Sequence, residues 1–445
     1  MTNPTANPSA VDAAVTRPIP KPSGKVALAA LQAWWRGKSP FAAIEAFHQQ
    51  MGPVFRANLP TFKPIMTAGA EWARFILVEA REQFLWKNPK DPIARLLREG
   101  LLVADGETHD LMHRAMFPAL HKKAITGYLD SMTRITDQAI QSWCDGKVHD
   151  MLPEMRRIAM LIVMETLFSV DFAPLIADYW ASLLRLLKYV SPGMWVIWSD
   201  IPRPGYARHI QQMNAYLYQI IHLRREHLAK HGGQPHDLLA LLIEAGADDA
   251  MIRDQILTMI IAGHDTSTGL LAWAMYMLGV DRDNAARARE EVDAVLGGSA
   301  PNMEKISELH FLSRFVDETL RLYPPAHLGS RLAAVDMSFQ GYPIHAGERV
   351  TYSIYVTHRM AEYWPNPTQF APDRFLEKPV PYSFLPFGGG KRNCIGSTFA
   401  EIEAKVILAR VLQQIQLELV QPHVHMHMAV TLEPRPGVLM RVQRR

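Results

Sequence analysis

One glycine-rich segment near the C-terminus, Phe387–Gly396, constrains the fold of this chain more than any other feature. Apolar residues recur after Cys394 at roughly helical spacing, so the cysteine is predicted at or just before a helix N-terminus. The N–H groups and the dipole of such a helix favour a thiolate over a thiol. The glycines let the backbone pass close to a flat, bulky group, and Arg392 offers several donors to a carboxylate. These features together suit a haem iron whose propionates need a cation.

The same segment has two other interpretations, a structural cysteine and a phosphate-binding loop. A lone cysteine is most often a small buried apolar residue, and the pattern by itself leaves that alternative open. A phosphate-binding loop would need the pattern Gly-x-x-x-x-Gly-Lys-Ser/Thr. The chain has Leu385 at the position of the first glycine and Arg392 at the position of the Ser or Thr. The segment therefore does not match a phosphate-binding loop.

Composition excludes several classes of protein. The 445 residues include only two cysteines, Cys144 and Cys394, and carry a net charge of +3. Two cysteines in so long a chain provide neither a disulfide framework nor zinc-finger spacing, and they fit a reducing compartment. We therefore expect a cytoplasmic protein. The net charge is too small to indicate binding to nucleic acid.

The N-terminal segment differs from the rest of the chain. Residues 1–25 are rich in Pro, Ser, Thr and Ala and contain no apolar core, so they are neither a signal peptide nor a membrane anchor. We expect this segment to be disordered or loosely attached and expect no stable insertion into a membrane. Residues 26–445 are predicted to form a single domain.

Hydrophobic periodicity and turn residues predict the main elements. Helices are predicted over residues 28–50, 70–78, 109–123, 151–187, 206–230, 237–245 and 251–278. Strands are predicted at 54–56 and 65–66, over 337–342 joined by a turn to 349–355, and over 424–428 and 438–442. Asn88-Pro89 and Asp91-Pro92 are predicted to break any helix between residues 84 and 100.

The helix predicted over residues 251–278 is apolar on most sides, which indicates a position in the middle of a large fold. A polar cluster, Gly263–Gly269, interrupts it and argues against a membrane span. Buried polar groups normally have hydrogen-bond partners, so polar residues in a buried helix indicate a structural or functional role. One alternative is structural, with the Thr266 hydroxyl bonding back to a carbonyl one turn earlier.

The glycine-rich segment resembles the haem-binding signature of the cytochrome P450 family, Phe-x-x-Gly-x-Arg-x-Cys-x-Gly. The matching residues are Phe387, Gly390, Arg392, Cys394 and Gly396. The resemblance extends from about Gly52 to the C-terminus and is to the soluble, bacterial type. It implies a mainly α fold with a small β region, the triangular helical haem-thiolate fold. It also implies haem b (iron protoporphyrin IX), with Cys394 as the ligand of the metal.

The same resemblance assigns roles along the long helix. Ala262-Gly263-x-Asp265-Thr266 is similar to the oxygen-activation motif of the family. Small Ala262 and Gly263 would leave room above the haem. Thr266 would hydrogen-bond dioxygen and Asp265 would feed protons toward it, so both are expected to be catalytic.

Further cofactor contacts follow from family position. Phe387, Gly388 and Gly396 are expected against the haem, and Arg392 and Arg331 against its propionates. The family pattern of a Trp or His followed four residues later by Arg is only partly kept. His109 fills the first position, whereas either His113 or Arg114 could act at the second.

Two more groups of residues are implied. Glu318 and Arg321 lie at i and i+3 on one helix face, and the resemblance adds Arg374 to form a structural triad. The residues expected to line the substrate pocket are Phe84, Leu85, Trp86, His327, Leu328 and Val430. Ordinary core packing is the alternative for the residues of the 84–100 region.

The implied activity is a monooxygenase that inserts one oxygen atom from O2 into an apolar organic molecule, such as a fatty acid, terpenoid or steroid-like compound. Two electrons would come from a separate ferredoxin or flavodoxin with its reductase, for which Arg114, Lys122 and Lys123 could form a basic docking face. A peroxide-driven peroxygenase and a non-catalytic haem sensor are the rivals. The loop carrying Trp195 and Trp198 is expected to cover the substrate channel, with membrane contact as the alternative.

Overall fold

Helices dominate the architecture. The computed structural model describes residues 17–58, 62–193, 203–232, 237–421 and 423–445. The α-helices are α1 (Gly24–Gly37), α2 (Pro40–Met51), α3 (Ala70–Arg74), α4 (Pro92–Leu97), α5 (Gly106–Leu120), α6 (Lys122–Thr126), α7 (Leu129–Ser142), α8 (Met151–Phe168), α9 (Ile176–Val190), α10 (Ala207–His231), α11 (Leu238–Glu244), α12 (Asp249–Met259), α13 (Asp265–Val280), α14 (Arg282–Leu296), α15 (Met303–Glu308), α16 (His310–Leu322), α17 (Ile354–Thr357) and α18 (Ser397–Gln414). The lid prediction for Trp195 and Trp198 lies outside the described residues.

The strands are short and form four small sheets. They are β1 (Val54–Arg56), β2 (Ile65–Thr67), β3 (Phe84–Leu85), β4 (Val148–Asp150), β5 (Leu328–Ala333), β6 (Met337–Phe339), β7 (Tyr342–Ile344), β8 (Arg349–Ser353), β9 (Ile415–Leu419), β10 (His425–Met428), β11 (Leu432–Arg435) and β12 (Leu439–Arg444). The largest sheet has the order β1-β2-β8-β5-β3, in which β2 and β8 run parallel and the other pairs antiparallel.

The long helix predicted over residues 251–278 is present, but it is not uniform. Helices α12 and α13 are joined without a break by a π-helical turn, Ile260–His264. The imidazole of His264 bonds to the Ile260 carbonyl across this wider turn. Helix α13 packs against α8, α16 and α18, which places the polar cluster at the centre of the molecule. A π-turn inside a helix often marks a functional site.

Several helix boundaries depart from the predictions for local reasons. Pro92 starts helix α4 instead of breaking it, because a proline in the first helical turn has no N–H bond to lose. The helix predicted over 28–50 is split into α1 and α2 at Lys38, which adopts a left-handed backbone with φ of 49°. Ser169, with φ of 51°, likewise ends α8 within the predicted span 151–187.

The predicted sheet pairing between residues 337–342 and 349–355 is wrong. Strand β6 pairs with β7 in a separate hairpin, while β8 pairs with β5 and β2. The hairpin turns at Gln340 and Gly341, whose φ angles of 52° and 80° suit a tight two-residue connection. Near the C-terminus, β9 and β11 were not predicted, and they pair with β12 and β10.

The described part of the N-terminal segment lies against the protein. Ile19 is 9% exposed and belongs to the core around the largest sheet. The Arg56 N–H donates to the Pro20 carbonyl at 2.8 Å. The domain boundary expected at residue 25 stays a prediction. Among the helices in the described ranges, none combines the length and the apolar character that crossing a bilayer requires.

Candidate active site

The glycine-rich segment wraps tightly around Cys394. A 3₁₀ turn at Gly390–Arg392 precedes the cysteine, whose N–H donates to the Phe387 carbonyl at 2.8 Å, and α18 begins three residues later at Ser397. Gly390 has a φ of 64°, and a Cβ there would lie 2.4 Å from the carbonyl oxygen of Leu77. This glycine is therefore needed for the close approach of another part of the backbone. Gly388, with φ of 75°, supplies a second left-handed residue, while Gly396 caps α18.

Cys394 is accessible and yet closely surrounded by protein. Its side chain is exposed, but burial raises the pKa of its thiol by more than the N–H of Gly396 lowers it. The N–H at the start of the helix thus lowers the pKa of the thiol in the expected direction, but burial outweighs it. Coordination to a metal deprotonates a thiol outright. An accessible thiol that needs a cation to ionise fits a haem iron at this position.

Three residues interrupt the burial of the central helix. Between Ile252 and Met275, a span that the structure describes throughout, every residue is buried except Ala262, Gly263, Thr266. Their i, i+1, i+4 spacing places them on one face, which we name the accessible strip. The Thr266 hydroxyl donates to the Ala262 carbonyl at 2.6 Å, so the structural alternative raised by the sequence is present. Because the hydroxyl is the donor in that bond, the lone pairs of the Thr266 oxygen can still accept a hydrogen bond.

Two guanidinium groups share one aromatic ring. The Arg331 guanidinium lies 3.2 Å from the ring centroid of Trp86, and that of Arg392 lies 5.3 Å from it. Arg331 is 4% exposed, donates to the Ser330 carbonyl and the Tyr352 hydroxyl, and has its pKa lowered by burial. Neither of these two acceptors is a carboxylate, and buried charges normally need such a partner. The pair fits an anionic group such as a haem propionate.

Helix α5 brings two histidines toward Arg392. His109 is buried, with Nδ1 3.0 Å from an Asp110 carboxylate oxygen, and its ring lies 5.7 Å from that of His113. Burial lowers the pKa of both histidines, and the positive charge of Arg392 lowers them further. Arg114 lies on the exposed side of α5. The geometry thus groups His109 and His113 with Arg392, and the assignment of propionate contacts stays a prediction.

Asp265 points into a polar network that sequence reasoning missed. Its carboxylate accepts a hydrogen bond from the Thr431 hydroxyl at 3.0 Å and lies 3.5 Å from the guanidinium of Arg156, which also binds Glu433. Burial raises the pKa of Asp265 and of Glu433. Arg156 and Glu433 line a cavity of about 630 Å³. Helix α8 also carries Glu154, Arg157 and Glu165, so no sequence signal singled out Arg156.

Glu403 is a second buried acid beside the long helix. It accepts a hydrogen bond from Ser267, the residue after Thr266, and burial raises its pKa to about 8. Its position between Phe399 and Ile407, one turn away on either side, puts it on the apolar face of α18. A carboxylate on an apolar stripe was the signal that could have drawn attention to it.

This raised pKa predicts a pH-dependent cost in stability. From about pH 4.5 to about pH 8 the unfolded chain ionises Glu403 while the folded protein keeps it protonated, so stability falls as pH rises through this window. Glu403→Gln should therefore match the parent near pH 5 and exceed it at pH 8, by about 1 kcal/mol per pH unit. Denaturant unfolding at both pH values measures this. Glu290→Gln, at an exposed site, is the control, and an equal difference at both pH values for Glu403→Gln contradicts the prediction.

The expected triad is assembled deep in the protein. Glu318 receives the Arg321 guanidinium through both carboxylate oxygens, at 2.6 and 2.9 Å, and Arg374 at 2.9 Å. The Ala371 N–H adds a fourth bond at 2.8 Å. The remaining donors of Arg321 reach the carbonyls of loop residues 358, 367 and 369. The cluster ties helix α16 to the segment that precedes the glycine-rich loop.

The residues expected to contact substrate are scattered. Phe84 is buried in the sheet core, Trp86 lies against the two guanidinium groups, and His327 packs edge-on against Phe41 with its pKa lowered by burial to about 4. The other three are at least partly accessible: Leu85 at 39%, Leu328 at 37% and half-buried Val430. Core packing therefore accounts for Phe84 and His327, and the substrate pocket stays a prediction.

Comparison with known proteins gives a consistent picture. The family model described as Cytochrome P450 matches residues 20–441. The cyclooctat-9-en-7-ol 5-monooxygenase of Streptomyces melanosporofaciens is 30% identical over 403 residues, which are 86% of this chain and 86% of that protein. The retinoic acid-bound cyanobacterial CYP120A1 has a TM-score of 0.81 and 25% identity, with 90% of this chain and 93% of its own covered. The cytochrome P450DA haem domain has a TM-score of 0.84 and 26% identity, with coverage of 97% and 98%. These likenesses confirm the predicted fold class.

Proposed function

This chain belongs to the cytochrome P450 family and is a haem-thiolate monooxygenase, and we propose that it inserts one oxygen atom from O2 into a largely apolar organic substrate. The observation that carries the proposal is the accessible strip, where the hydroxyl-bearing residue Thr266 is partly exposed on an otherwise buried helix. When bound through Cys394, haem b supplies the redox chemistry. Arg331 and Arg392 would hold its propionates.

The chain's own contribution is the supply of protons. Thr266 holds a proton at the accessible strip, where its oxygen can accept from water and pass a proton on. Asp265 resupplies it from the other side of the helix. Because burial raises the pKa of Asp265, its carboxyl takes up a proton more readily than an exposed aspartate. Arg156, which lies 3.5 Å from this carboxyl, lines the cavity of about 630 Å³ and would connect Asp265 to protons from solvent.

Thr266→Ala is expected to uncouple electron consumption from product formation. Without the hydroxyl, reducing equivalents should end in hydrogen peroxide, and product per electron should fall by about a hundredfold, the scale of a lost proton-transfer group. The measurement is the ratio of product, peroxide and reduced nucleotide consumed, with a reconstituted electron donor. Thr266→Ser, which keeps the hydroxyl, should restore most of the coupling.

Thr268→Ala is the matched control. Thr268 lies on the same helix and donates to the His264 carbonyl at 2.8 Å, the same back-bond that Thr266 makes, but it is fully buried. If the hydroxyl of Thr266 were only structural, the two alanine variants would behave alike. Equal coupling in both would contradict proton delivery. Haem binding without any product from the parent would favour a haem sensor, whereas efficient turnover with peroxide alone would favour a peroxygenase.

The substrate belongs to the hydrocarbon-rich compounds, and a terpenoid-like molecule is the preferred class over a fatty acid or steroid. Two relatives support this choice, since one is named for cyclooctat-9-en-7-ol and the other was solved with retinoic acid. Electrons come from a ferredoxin or flavodoxin with its reductase. The exposed cations Arg114, Lys122 and Lys123 suit an acidic donor. Two free cysteines fit the reducing cytoplasm.

A further inference from the structure

Helix α1 turns its small residues toward the protein and its large apolar residues toward solvent. Ala30 is 1% exposed where α1 packs against α2. The exposed fractions of the large residues are 56% for Leu28, 50% for Leu31, 49% for Trp34 and 82% for Trp35. In a helix that belongs to a globular core, the large apolar residues face inward. We name these four residues the outer face of α1.

Their spacing makes the outer face continuous. Leu28, Leu31 and Trp35 follow one another at i, i+3 and i+7, and Trp34 lies beside them. The helix begins with a side-chain cap, in which Ser23 accepts from the Val26 N–H at 3.4 Å. It is therefore formed and oriented without burying this face.

The charge around the outer face has one sign. Lys21, Lys25, Arg36 and Lys38 are all exposed. The sequence has no acidic residue between Asp12 and Glu45, so no neighbour in sequence neutralises these cations. Trp and Leu on one side of a helix with Lys and Arg beside them form the pattern of helices that lie in a lipid interface. The surface is thus complementary to an apolar layer with a negative rim.

We infer that α1 attaches this protein reversibly to the surface of an anionic lipid bilayer, with the outer face among the acyl chain ends. Its 14 residues are too few to span a bilayer, which takes about 20. A second copy of this chain is a poorer occupant. A symmetric contact would bring Lys25 and Arg36 of both copies together, and like charges at close range repel. Phosphate headgroups instead attract each cation.

The test uses the full-length haem-loaded protein and sedimentation with vesicles. We expect binding to vesicles containing phosphatidylglycerol, and much weaker binding to pure phosphatidylcholine, with the difference shrinking at high salt. Leu31→Gln with Trp35→Gln should weaken binding by more than about tenfold. Lys25→Gln with Arg36→Gln should weaken binding to the anionic vesicles by at least about tenfold. Absorption and circular dichroism spectra verify that every variant is folded.

Leu223→Gln is the matched control, because Leu223 is also 56% exposed but lies on α10. Its binding should equal that of the parent. Three results would overturn the inference: no sedimentation with anionic vesicles, equal binding to neutral ones, or full binding by the Leu31/Trp35 variant. Light scattering tests whether a second copy occupies the outer face. If the parent is a dimer that does not bind vesicles, and the Leu31/Trp35 variant is a monomer, the outer face is a dimer interface. The readout is independent of turnover, so its failure leaves the proposed function untouched.

Discussion

Replacing Cys394 by serine is expected to abolish the strongly red-shifted Soret band of the reduced, carbon monoxide-bound protein and to reduce oxygen insertion below detection. A serine hydroxyl does not supply the thiolate that pushes electron density toward O–O cleavage. The geometry sharpens the expectation, because burial raises the pKa of the Cys394 thiol and only a bound cation would hold it as the thiolate. The measurement is the absorption spectrum, followed by a product assay.

Cys144→Ser is the matched control for this change. Cys144 is the other cysteine, it is also exposed, and it lies near the end of α7, in a different part of the sequence. Its replacement should leave spectrum and turnover unchanged. A red-shifted band that survives in Cys394→Ser, or that disappears in Cys144→Ser, would assign the ligand elsewhere. In that case the roles proposed for Asp265 and Thr266 would also lose their basis.

The contrast between these two cysteines shows what a sequence can predict. The surroundings of Cys394 are contiguous in the chain, so a short pattern reveals the glycine turns, the arginine and the following helix. The same holds for the long helix, whose apolar period predicted a buried element over 251–278 close to its real span. Local pattern and local structure agree wherever neighbours in sequence are neighbours in space.

The rest of the site depends on contacts between segments that are far apart in the chain. A single sequence does not show which of these segments meet. Arg156 and Glu433 meet across 277 residues, and Arg156 meets Asp265 across 109. The contact of Trp86 with the Arg331 guanidinium was not predicted, and it forms because β3 pairs with β5 in the largest sheet. Periodicity can tell that a side chain is buried, but the partner that buries it is decided by tertiary packing.

Burial also raises the pKa values of acids and of the Cys394 thiol in this protein. The helix N-terminus after Cys394 was expected to favour a thiolate, but its effect is smaller than that of desolvation. Desolvation acts in the same direction on Asp265, which belongs to the central helix, and on Glu403, which faces that helix from α18. The centre of this protein therefore favours neutral groups, and a cation or an anion placed there needs a dedicated partner. The triad around Glu318 meets that need with four hydrogen bonds to the carboxylate.

Glu318→Gln is accordingly expected to lower the free energy of unfolding by about 3–5 kcal/mol, the cost of leaving one member of a buried ion pair without its counter-charge. Both Glu318 and Arg321 are completely buried, and the amide would leave the Arg321 guanidinium without a negative partner. Denaturant unfolding, followed by circular dichroism and by haem absorption, measures the loss. If this variant does not accumulate, Arg374→Gln offers a milder change, because it removes one bond to Glu318 and keeps the Arg321 pair.

Asp373→Asn tests whether burial, and not charge pairing as such, sets this cost. Asp373 lies next to Arg374 and forms an ion pair with Arg287 at 2.9 Å, but both side chains are about half exposed, at 46% and 45%. An exposed pair contributes about 0–1 kcal/mol, so this variant should unfold close to the parent. If Glu318→Gln also stayed within about 1 kcal/mol of the parent, the guanidinium would have to be neutralised by other groups. The triad would then be dispensable for holding α16 to the loop before Cys394.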